Sequence, residues 1–465
     1  MVLSPLDLAK DARSQHPHAP VPSVATDEPA APGPRGRRRV RTWLRRAGLG
    51  LAGLVSVGLA GLTVGNVTPA GRGLTQPPSH VAPVASVQFR REAEALLGSP
   101  VTQGDAVTDL QNGDAYFPAM LADIRSAQHS IELESYILRP GRIAQTFVAA
   151  LSERAHAGVK VRVLVDYMGA RGNVADAERL RAAGVDFHFF RPPTLANLDS
   201  LNKRTHRKLM VVDDRVAYTG GMGIDDAWLG NARTGSQKRD MMFRIRGPAM
   251  ARMRAVFEEH WLAVGGQPLP PVERAVPASA PGGLPVQVVA SADRVGDYNS
   301  QRMFLLAIAG ARRSIDLEAS YFVPDEPARR ALLAALRRGV QVRILVEGDH
   351  VDGHAVGYAS RTYWGEFIAA GAKIYRYGPS LFHSKLMVVD DYLTIAGSAN
   401  FDYRSFHLND EANILVYDGG FARHMTGVFD RDLAVSVPVS LQQLRARPWT
   451  QQLTDRFYAS FASQL

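Results

Sequence analysis

A seven-residue segment that occurs twice constrains the fold of this 465-residue chain more than any other feature. The run Lys-Leu-Met-Val-Val-Asp-Asp spans residues 208–214 and again residues 385–391, each time with a histidine two positions before the lysine. A second matching pair, Ser-Ile-Glu-Leu-Glu from residue 130 and Ser-Ile-Asp-Leu-Glu from residue 314, precedes these copies. Matches in equivalent settings indicate an internal duplication, so the two halves of the chain should share one fold.

The elements predicted by hydrophobic periodicity follow the same order in both halves. In the first half they are a helix over 115–127, a strand over 130–137, a helix over 144–156, a strand over 159–166, a helix over 175–183 and a strand over 185–190. The second half gives a strand over 314–323, a helix over 327–338, a strand over 340–347, a helix over 363–370 and a strand over 372–377. This alternation predicts an α/β fold with a mostly parallel β-sheet covered by helices on both faces. We therefore predict two pseudo-symmetric domains, at 84–265 and 286–465, joined by a Pro-, Ala- and Gly-rich linker at 266–285.

The N-terminal region is predicted to lie outside these domains. Residues 1–46 are poor in core-forming side chains and end in a block with seven arginines between positions 35 and 46, which predicts a disordered basic tail. Residues 47–67 are uncharged and long enough to cross the hydrocarbon core, so we predict a transmembrane helix there. A cleaved secretory signal and a buried globular helix remain open as alternatives. With the arginines in the cytoplasm, the positive-inside rule places the rest of this single-pass cell-membrane protein outside the cytoplasm.

The basic excess of the chain lies mainly in that tail. Residues 1–78 contain ten basic and four acidic side chains, so only +3 of the formal net charge of +9 belongs to the remaining residues. A polyanion-binding domain would carry its positive charge on the folded part, so nucleic acid is not a predicted partner. The chain has no cysteine, which excludes disulfides and thiolate metal sites.

The two His-x-Lys pairs carry the chemistry that this sequence predicts. Residues i and i+2 of a strand point the same way, so His206 shares a face with Lys208, and His383 shares a face with Lys385. If the halves pack pseudo-symmetrically, both pairs converge on one pocket. The lysines would then neutralise the oxygens of a phosphoryl group, while one imidazole attacks phosphorus and the other protonates the leaving oxygen. A repeat kept only for packing is the alternative, but packing does not call for buried His and Lys.

Each copy of the repeat ends in an aspartate pair whose first member has a different predicted role. Asp213 and Asp390 lie five residues beyond the motif lysines. This odd offset turns them away from the His-Lys face of an unbroken strand. We therefore interpret both as structural residues at strand ends.

The double H-x-K-x4-D pattern resembles the phospholipase D superfamily across residues 84–465, and within it the chain is most similar to bacterial cardiolipin synthases. The residues that carry the resemblance are Glu134-Ser-Tyr-Ile, Thr205-His-Arg-Lys, Tyr218-Thr-Gly-Gly-Met, Lys238-Arg-Asp, Gly397-Ser-Ala-Asn-Phe-Asp-Tyr-Arg-Ser, Asn409-Asp-Glu and the stretch from Pro448 to Leu465. The resemblance implies a membrane-anchored phosphatidyltransferase that forms cardiolipin from two phosphatidylglycerol molecules through a phosphohistidine and releases glycerol. It implies no metal and no cofactor, with phospholipid and the membrane as partners.

The resemblance also implies roles for individual residues. His206 is the implied nucleophile and His383 the general acid and base, although the two assignments could be exchanged. The implied phosphate-binding side chains are Lys208, Lys385, Ser398 and Asn400. An acid from the opposite half orients each histidine in the family. By spacing, Glu411 is assigned to His206 and Asp240 to His383, with the alternative that both acids are surface charges.

One position departs from the family pattern. The family has Gly-Gly-Met-Asn where this chain has Gly-Gly-Met-Gly, ending at Gly223, so a phosphate-oxygen partner is missing from the first half. Three other functions remain open. They are a phospholipase D that transfers the phosphatidyl group to water, a phosphodiesterase acting on DNA, and a lipid-binding protein with a decayed site.

Overall fold

The computed structural model describes residues 73–195, 202–271, 283–292 and 297–464, together with Ser56 and Val57. The tail predicted over 1–46 lies outside the described residues, as does the transmembrane helix predicted over 47–67 except for those two residues. Among the helices that are described, none is both long enough and apolar enough to cross a bilayer. The described residues from 73 onward belong to one compact unit.

The first half of the chain contains every helix and strand that its sequence predicts, with ends that differ by at most two residues. Its elements are α1 (Val87–Leu97), β1 (Val101–Gln111), α2 (Gly113–Ser126), β2 (Ser130–Ser135), α3 (Arg142–His156), β3 (Lys160–Asp166), α4 (Val174–Ala182), β4 (Asp186–Phe190), β5 (Arg204–Thr205), β6 (Leu209–Val212), β7 (Val216–Gly220), β8 (Lys238–Arg239), β9 (Met241–Arg246) and α5 (Ala249–Ala263).

The second half repeats this order and adds a C-terminal extension. Its elements are β10 (Leu284–Ser291), α6 (Asn299–Gly310), β11 (Ser314–Ala319), α7 (Glu326–Arg337), β12 (Gln341–Val346), α8 (His354–Ala369), β13 (Lys373–Tyr377), β14 (Leu381–Phe382), β15 (Lys385–Val389), β16 (Leu393–Gly397), α9 (Tyr403–His407), β17 (Asn409–Tyr417), α10 (Gly419–Ala434), β18 (Ser436–Pro438), α11 (Leu441–Arg445) and α12 (Trp449–Ala459). The strand predicted over 314–323 ends four residues early, and α8 begins nine residues before its predicted start.

The two halves share one mixed sheet, which corrects the prediction of a mostly parallel one. In the described chain the strand order is β18-β13-β12-β11-β15-β16-β17-β10-β1-β9-β7-β6-β2-β3-β4. Within this order β2-β3-β4 and β11-β12-β13 are the parallel runs, and the strands that follow them in each half are antiparallel. Strand β5 lies off this order and pairs in parallel with β17. Strand β1 joins the halves because it pairs with β10 near its start and with β9 over Ala106–Gln111.

The reason for the antiparallel pairing is a two-residue turn in each repeat. Asp213 and Asp214 have φ angles of 54° and 50°, and Arg215 N donates to Val212 O at 3.0 Å. Two central residues with positive φ form the tight hairpin turn that only antiparallel neighbours can use. The equivalent Asp390 and Asp391 have the same two φ angles.

Three large apolar clusters and a small fourth one, formed by Leu345, Tyr377, Phe382 and Phe429, pack around this sheet in the described part of the chain. One packs α2, α3 and α4 onto the first half, and another packs α1, α6, α7 and α8 onto the second. The third cluster contains residues of both halves, because Leu209 and Val211 of β6 share it with Leu386 and Val388 of β15. Helices α5 and α10 also contribute to it. The halves are therefore held together by a common core.

Candidate active site

Backbone pairing between the halves brings the two His-x-Lys motifs together. Strand β5, just before His206, pairs in parallel with the start of β17. Strand β14, just before His383, pairs in parallel with β8. His206 N donates to Asp410 O and His383 N donates to Arg239 O, both at 2.8 Å. Each histidine is therefore held beside the residue that comes directly after its backbone partner in the opposite half.

Those following residues are the two acids that the spacing assigned. His206 Nδ1 lies 3.0 and 3.1 Å from the two carboxylate oxygens of Glu411. His383 Nδ1 lies 2.7 Å from Asp240 Oδ2. All four side chains are buried. When Nδ1–H is donated to a carboxylate, the lone pair of a neutral imidazole is at Nε2, which is the tautomer needed for attack on phosphorus.

The two orienting acids are held in different ways. Glu411 accepts hydrogen bonds from Ser398 Oγ at 2.5 Å and Ser405 Oγ at 2.8 Å. Asp240 accepts from Trp228 Nε1 at 2.8 Å and from the backbone N–H of the next residue at 2.8 Å. The Ser398 hydroxyl is thus engaged with the carboxylate that orients His206.

Asn400, the other residue expected near a phosphate, is also buried. Its Oδ1 has no hydrogen-bond partner within the described part of the chain. Its backbone N–H donates to Ser405 Oγ at 3.0 Å. The amide side chain is therefore not committed to an observed hydrogen bond through Oδ1, in contrast to the hydroxyl of Ser398.

Both motif lysines are buried beside their histidines. Lys208 Nζ donates to His206 O at 2.7 Å and lies 5.3 Å from the ring centroid of Tyr136. Lys385 Nζ donates to Ser320 Oγ at 3.0 Å and to His383 O, and lies 2.9 Å from His383 Nδ1. Burial lowers the pKa of Lys385 to about 8 and that of Lys208 well below its ordinary value.

Burial also sets the charge of the imidazoles. It lowers the pKa of His206 to about 4, although Glu411 opposes the change. It lowers the pKa of His383 well below 6.5, with Lys385 acting in the same direction. For Glu411, burial alone would raise the pKa, but His206 and Lys208 together lower it to about 2. At neutral pH both imidazoles are therefore neutral and Glu411 is ionised.

Gly223, the departure from the family pattern, has a steric explanation. A Cβ atom there would lie 3.0 Å from Ile137 Cβ and 3.1 Å from Trp228 Cζ3. The Trp228 indole fills this region, with its ring centroid 5.1 Å from that of His383. Lys238 Nζ lies 4.0 Å from the Trp228 ring centroid and 2.6 Å from Asp352 Oδ2. Trp228, with Lys238 over its ring, therefore fills the space beside Gly223 where the family pattern has an asparagine side chain.

Sequence reasoning did not identify Trp228 as a site residue. One signal was available, because Trp228 and Ser405 lie at the same distance along the chain from the glycines Gly220 and Gly397. Both side chains donate to the orienting acid of their region, Trp228 to Asp240 and Ser405 to Glu411. An indole and a hydroxyl look unrelated in a sequence, although each supplies one hydrogen-bond donor.

The motif aspartates lie at the hairpin turns. The Asp213 carboxylate accepts from the backbone N–H groups of residues 128, 129 and 130 at 2.8, 2.7 and 2.9 Å. Asp390 accepts from the N–H groups of residues 312, 313 and 314 at 2.8, 2.7 and 2.9 Å. Each carboxylate ties its hairpin to the start of the neighbouring strand, β2 or β11. This geometry fits the structural role expected of both residues.

The site therefore combines two neutral imidazoles, two buried lysines and two oriented carboxylates. Such a set can hold the anionic oxygens of a phosphodiester and move protons at both ends of it. Over the described ranges, no three His, Cys, Asp or Glu side chains come together as a set of metal ligands.

Comparison with known proteins identifies a family model and several relatives to which this chain is similar. A family model described as "Cardiolipin synthase, PLD-like domain" matches residues 120–261 and 304–433. A cardiolipin synthase of Geobacillus kaustophilus (strain HTA426) is 34% identical over 395 residues, which cover 82% of this chain and 78% of the relative. A cardiolipin synthase of Geobacillus thermodenitrificans (strain NG80-2) is 36% identical over 362 residues, covering 77% and 72%. The crystal structure of phosphatidylserine synthase from Haemophilus influenzae Rd KW20 matches with a TM-score of 0.59 at 15% identity, covering 81% of this chain and 98% of that one, which shows a shared fold.

Proposed function

This chain belongs to the cardiolipin synthase family of phospholipase D-like phosphatidyltransferases, and we propose that it converts two phosphatidylglycerol molecules into cardiolipin and glycerol through a phosphohistidine. The observation that carries this proposal is the crossed pairing of His206 with Glu411 and of His383 with Asp240. Two imidazoles held in one tautomer at a single buried site suit a double displacement at phosphorus.

In the first step, Nε2 of His206 attacks the phosphorus of one phosphatidylglycerol. A P–N bond forms and the P–O bond to the headgroup glycerol breaks. The departing glycerol oxygen takes a proton from Nε2 of His383. The charge of the bound phosphodiester opposes the effect of burial on the His383 pKa, so the enzyme takes up this proton when substrate binds. The ammonium groups of Lys208 and Lys385 stabilise the charge on the nonbridging oxygens.

In the second step, neutral His383 removes a proton from a headgroup hydroxyl of the second phosphatidylglycerol. The resulting oxygen attacks phosphorus, the P–N bond breaks, and His206 returns to its neutral form. The side-chain amide of Asn400 is proposed as a further phosphate contact. Ser398, whose hydroxyl donates to Glu411, is proposed to act through that carboxylate.

Lipid mass spectrometry tests this function. The solubilised full chain is incubated with phosphatidylglycerol beside the variants His206→Ala and His383→Ala. Cardiolipin and glycerol from the wild type alone are the expected result. Phosphatidic acid without cardiolipin would instead show that water is the acceptor, and would replace the transferase with a phospholipase D.

We also propose that residues 47–67 anchor the protein in the cell membrane as a single helix, with the catalytic region on the extracytoplasmic side. The uncharged segment and its arginine-rich flank support this topology. Protease digestion of right-side-out and inside-out vesicles tests it. Cleavage of the catalytic region only in right-side-out vesicles is expected, and cleavage only in inside-out vesicles would reverse the topology.

A further inference from the structure

The C-terminal helix α12 carries a row of exposed apolar side chains. Trp449 is 73% exposed, and Leu453 and Phe457 are each 59% exposed. Phe461, just beyond the helix, is 49% exposed and its ring centroid lies 5.3 Å from that of Phe457. A spacing of four residues keeps these side chains on one face of a helix. We call these four residues the aromatic stripe.

The opposite face of α12 is firmly attached to the body of the protein. Asp455 is buried and pairs with Arg361 of α8 at 3.0 Å and with Arg447 at 2.5 Å. The Tyr458 ring stacks on Tyr358 of α8 with centroids 5.2 Å apart. The stripe is therefore presented on a fixed helix, and its exposure does not result from a loosely attached tail.

The segment after α12 lies next to the active site. Gln464 O accepts from Arg404, and Gln464 Oε1 accepts from Asn202 at 2.9 Å. Arg404 immediately precedes Ser405, which donates to Glu411. Asn202 lies two residues before β5, the strand that leads into His206. The aromatic stripe is thus connected through a few residues to both sides of the His206–Glu411 pair.

The segment that carries the stripe is basic. Between residues 441 and 464 the chain has three arginines and one acid, and that acid, Asp455, is buried in its ion pairs. Arg445 and Arg456 are exposed. Helices with Trp, Phe and Leu on one side and exposed arginine nearby bind at the interface of anionic bilayers.

We propose that the aromatic stripe is a membrane-docking surface that inserts into the interfacial region of a bilayer containing anionic phospholipid. Docking there would hold the active site against the lipid surface from which a phosphatidyltransferase takes its substrates. A second copy of this chain is a poorer occupant, because four side chains on one short helix fall well below the roughly 20 residues a side of a stable dimer. The proposal goes beyond the transfer reaction and holds whether the acceptor is an alcohol or water.

Site-specific fluorescence tests the docking directly, because the chain has no cysteine of its own. The full-length variants Phe457→Cys and Glu178→Cys are each labelled with an environment-sensitive dye and reconstituted into vesicles of phosphatidylglycerol and phosphatidylcholine containing a nitroxide-labelled lipid. Glu178 is exposed on α4 and serves as the control. We expect blue-shifted and strongly quenched emission at position 457 only. Unquenched emission at 457, or equal quenching at both positions, would overturn the proposal.

A kinetic test uses the double variant Leu453→Ser/Phe457→Ser, with the exposed Gln451→Ser on the same helix as the matched control. Phosphatidylglycerol is supplied either in vesicles or as a monomerically dispersed short-chain form. The ratio of vesicle rate to monomer rate should fall about tenfold or more in the double variant and stay unchanged in the control. An unchanged ratio would contradict the proposal. Conversion of a dimer into a monomer in the double variant, with the ratio unchanged, would instead assign the aromatic stripe to a contact between two copies of this chain. The fluorescence measurement reports docking without any turnover. Failure of the docking proposal can therefore be distinguished from failure of the proposed transfer reaction.

Discussion

At the scale of single residues, each of the two histidines is paired with a carboxylate, but the two carboxylates are held by different hydrogen-bond donors. Glu411 is longer than Asp240 and is held by two serine hydroxyls, whereas Asp240 is held by an indole N–H and a backbone N–H. The difference gives the pseudo-symmetric site two unequal imidazoles. Such inequality suits a reaction in which one imidazole attacks and the other transfers protons.

The orienting role of Glu411 predicts that replacing its carboxylate by an amide of the same size lowers kcat strongly. In Glu411→Gln the neutral amide can present its N–H to His206 and favour the wrong tautomer, so kcat should fall on the order of 10³-fold. Steady-state transfer assays with phosphatidylglycerol measure this. Ser405→Ala, which leaves the carboxylate in place, is the control and should lose about tenfold or less. Equal losses in the two variants would show that Glu411 acts only through local packing.

The close packing of Trp228 beside Gly223 predicts that Gly223→Asn will not restore a site with the family pattern. The new side chain would be forced against Ile137 and the indole, so activity should fall and unfolding should become easier by about 1–3 kcal/mol. The double variant Gly223→Asn/Trp228→Ser, which gives the first half the pattern of the second, should recover part of the loss. Urea unfolding and transfer rates of the single and double variants measure the coupling. Strictly additive effects would contradict the steric explanation.

The pKa shifts predict a bell-shaped dependence of the transfer rate on pH. Both limbs of the curve are shifted from the ordinary pKa values of histidine and lysine. The pKa of His206 is lowered to about 4, so the nucleophile stays neutral until the pH falls through that value. The pKa of Lys385 is lowered to about 8, so its charge is lost as the pH rises through that value. The transfer rate on dispersed substrate should therefore be highest between these limits, with apparent values that belong to the coupled site. A rate that rises steadily from pH 6 to 10 would contradict this account.

At the scale of elements, the first half shows what sequence periodicity can predict. Strands β2, β3 and β4 alternate clearly with their helices, and the sequence predicts the ends of these elements to within two residues. Strands β6 and β7 are short and fully buried, so they carry no apolar-polar alternation that would reveal their direction. The sequence indicates a structural role for Asp213, the first of the two aspartates between these strands. The positive φ angles of Asp213 and Asp214, which form the turn of an antiparallel hairpin, are visible only in the structure.

The start of α8 also differs from the sequence prediction, because local sequence does not determine it. Its first nine residues include Gly357 and Thr362, which have low helix propensity, so the sequence predicts a later start. In the structure Tyr358 and Arg361 pack against α12, the helix that carries the aromatic stripe. Tertiary contacts thus outweigh local propensity at this position, and such contacts cannot be inferred from the segment itself.

The hairpin turns predict a clear effect on stability. In Asp213→Ala three backbone N–H groups lose their acceptor and a residue with a Cβ must keep φ near 54°, so the free energy of unfolding should fall by about 2–4 kcal/mol. Asp213→Asn tolerates the left-handed backbone and should lose less. Urea denaturation of both variants measures the difference. A loss of transfer activity without any change in stability would instead place Asp213 in the chemistry.

At the scale of the whole molecule, neither half is complete without the other. Each histidine takes its orienting acid from the opposite half, and one apolar cluster contains strands of both. The sequence revealed the duplication and both His-x-Lys pairs. The crossed acids followed from resemblance and spacing, because no local pattern marks Asp240 or Glu411 as partners of residues far along the chain.

This mutual dependence predicts cooperative unfolding. The full chain should give one main calorimetric transition for residues 84–465, since separating the halves would expose their common core. The fragment 84–265 alone should have no transferase activity because His206 would lack Glu411. Two well-separated transitions, or an active fragment, would show that the halves are independent.

The most direct test of the central claim is to trap the covalent intermediate. The full chain is mixed with phosphatidylglycerol, quenched under alkaline denaturing conditions that preserve phosphohistidine, digested and measured by peptide mass spectrometry. The account predicts a phosphatidyl adduct on the peptide that contains His206, absent from His206→Ala and from substrate-free protein. An adduct on the His383 peptide would exchange the two roles. Cardiolipin formation with no adduct on either histidine peptide would contradict the double displacement.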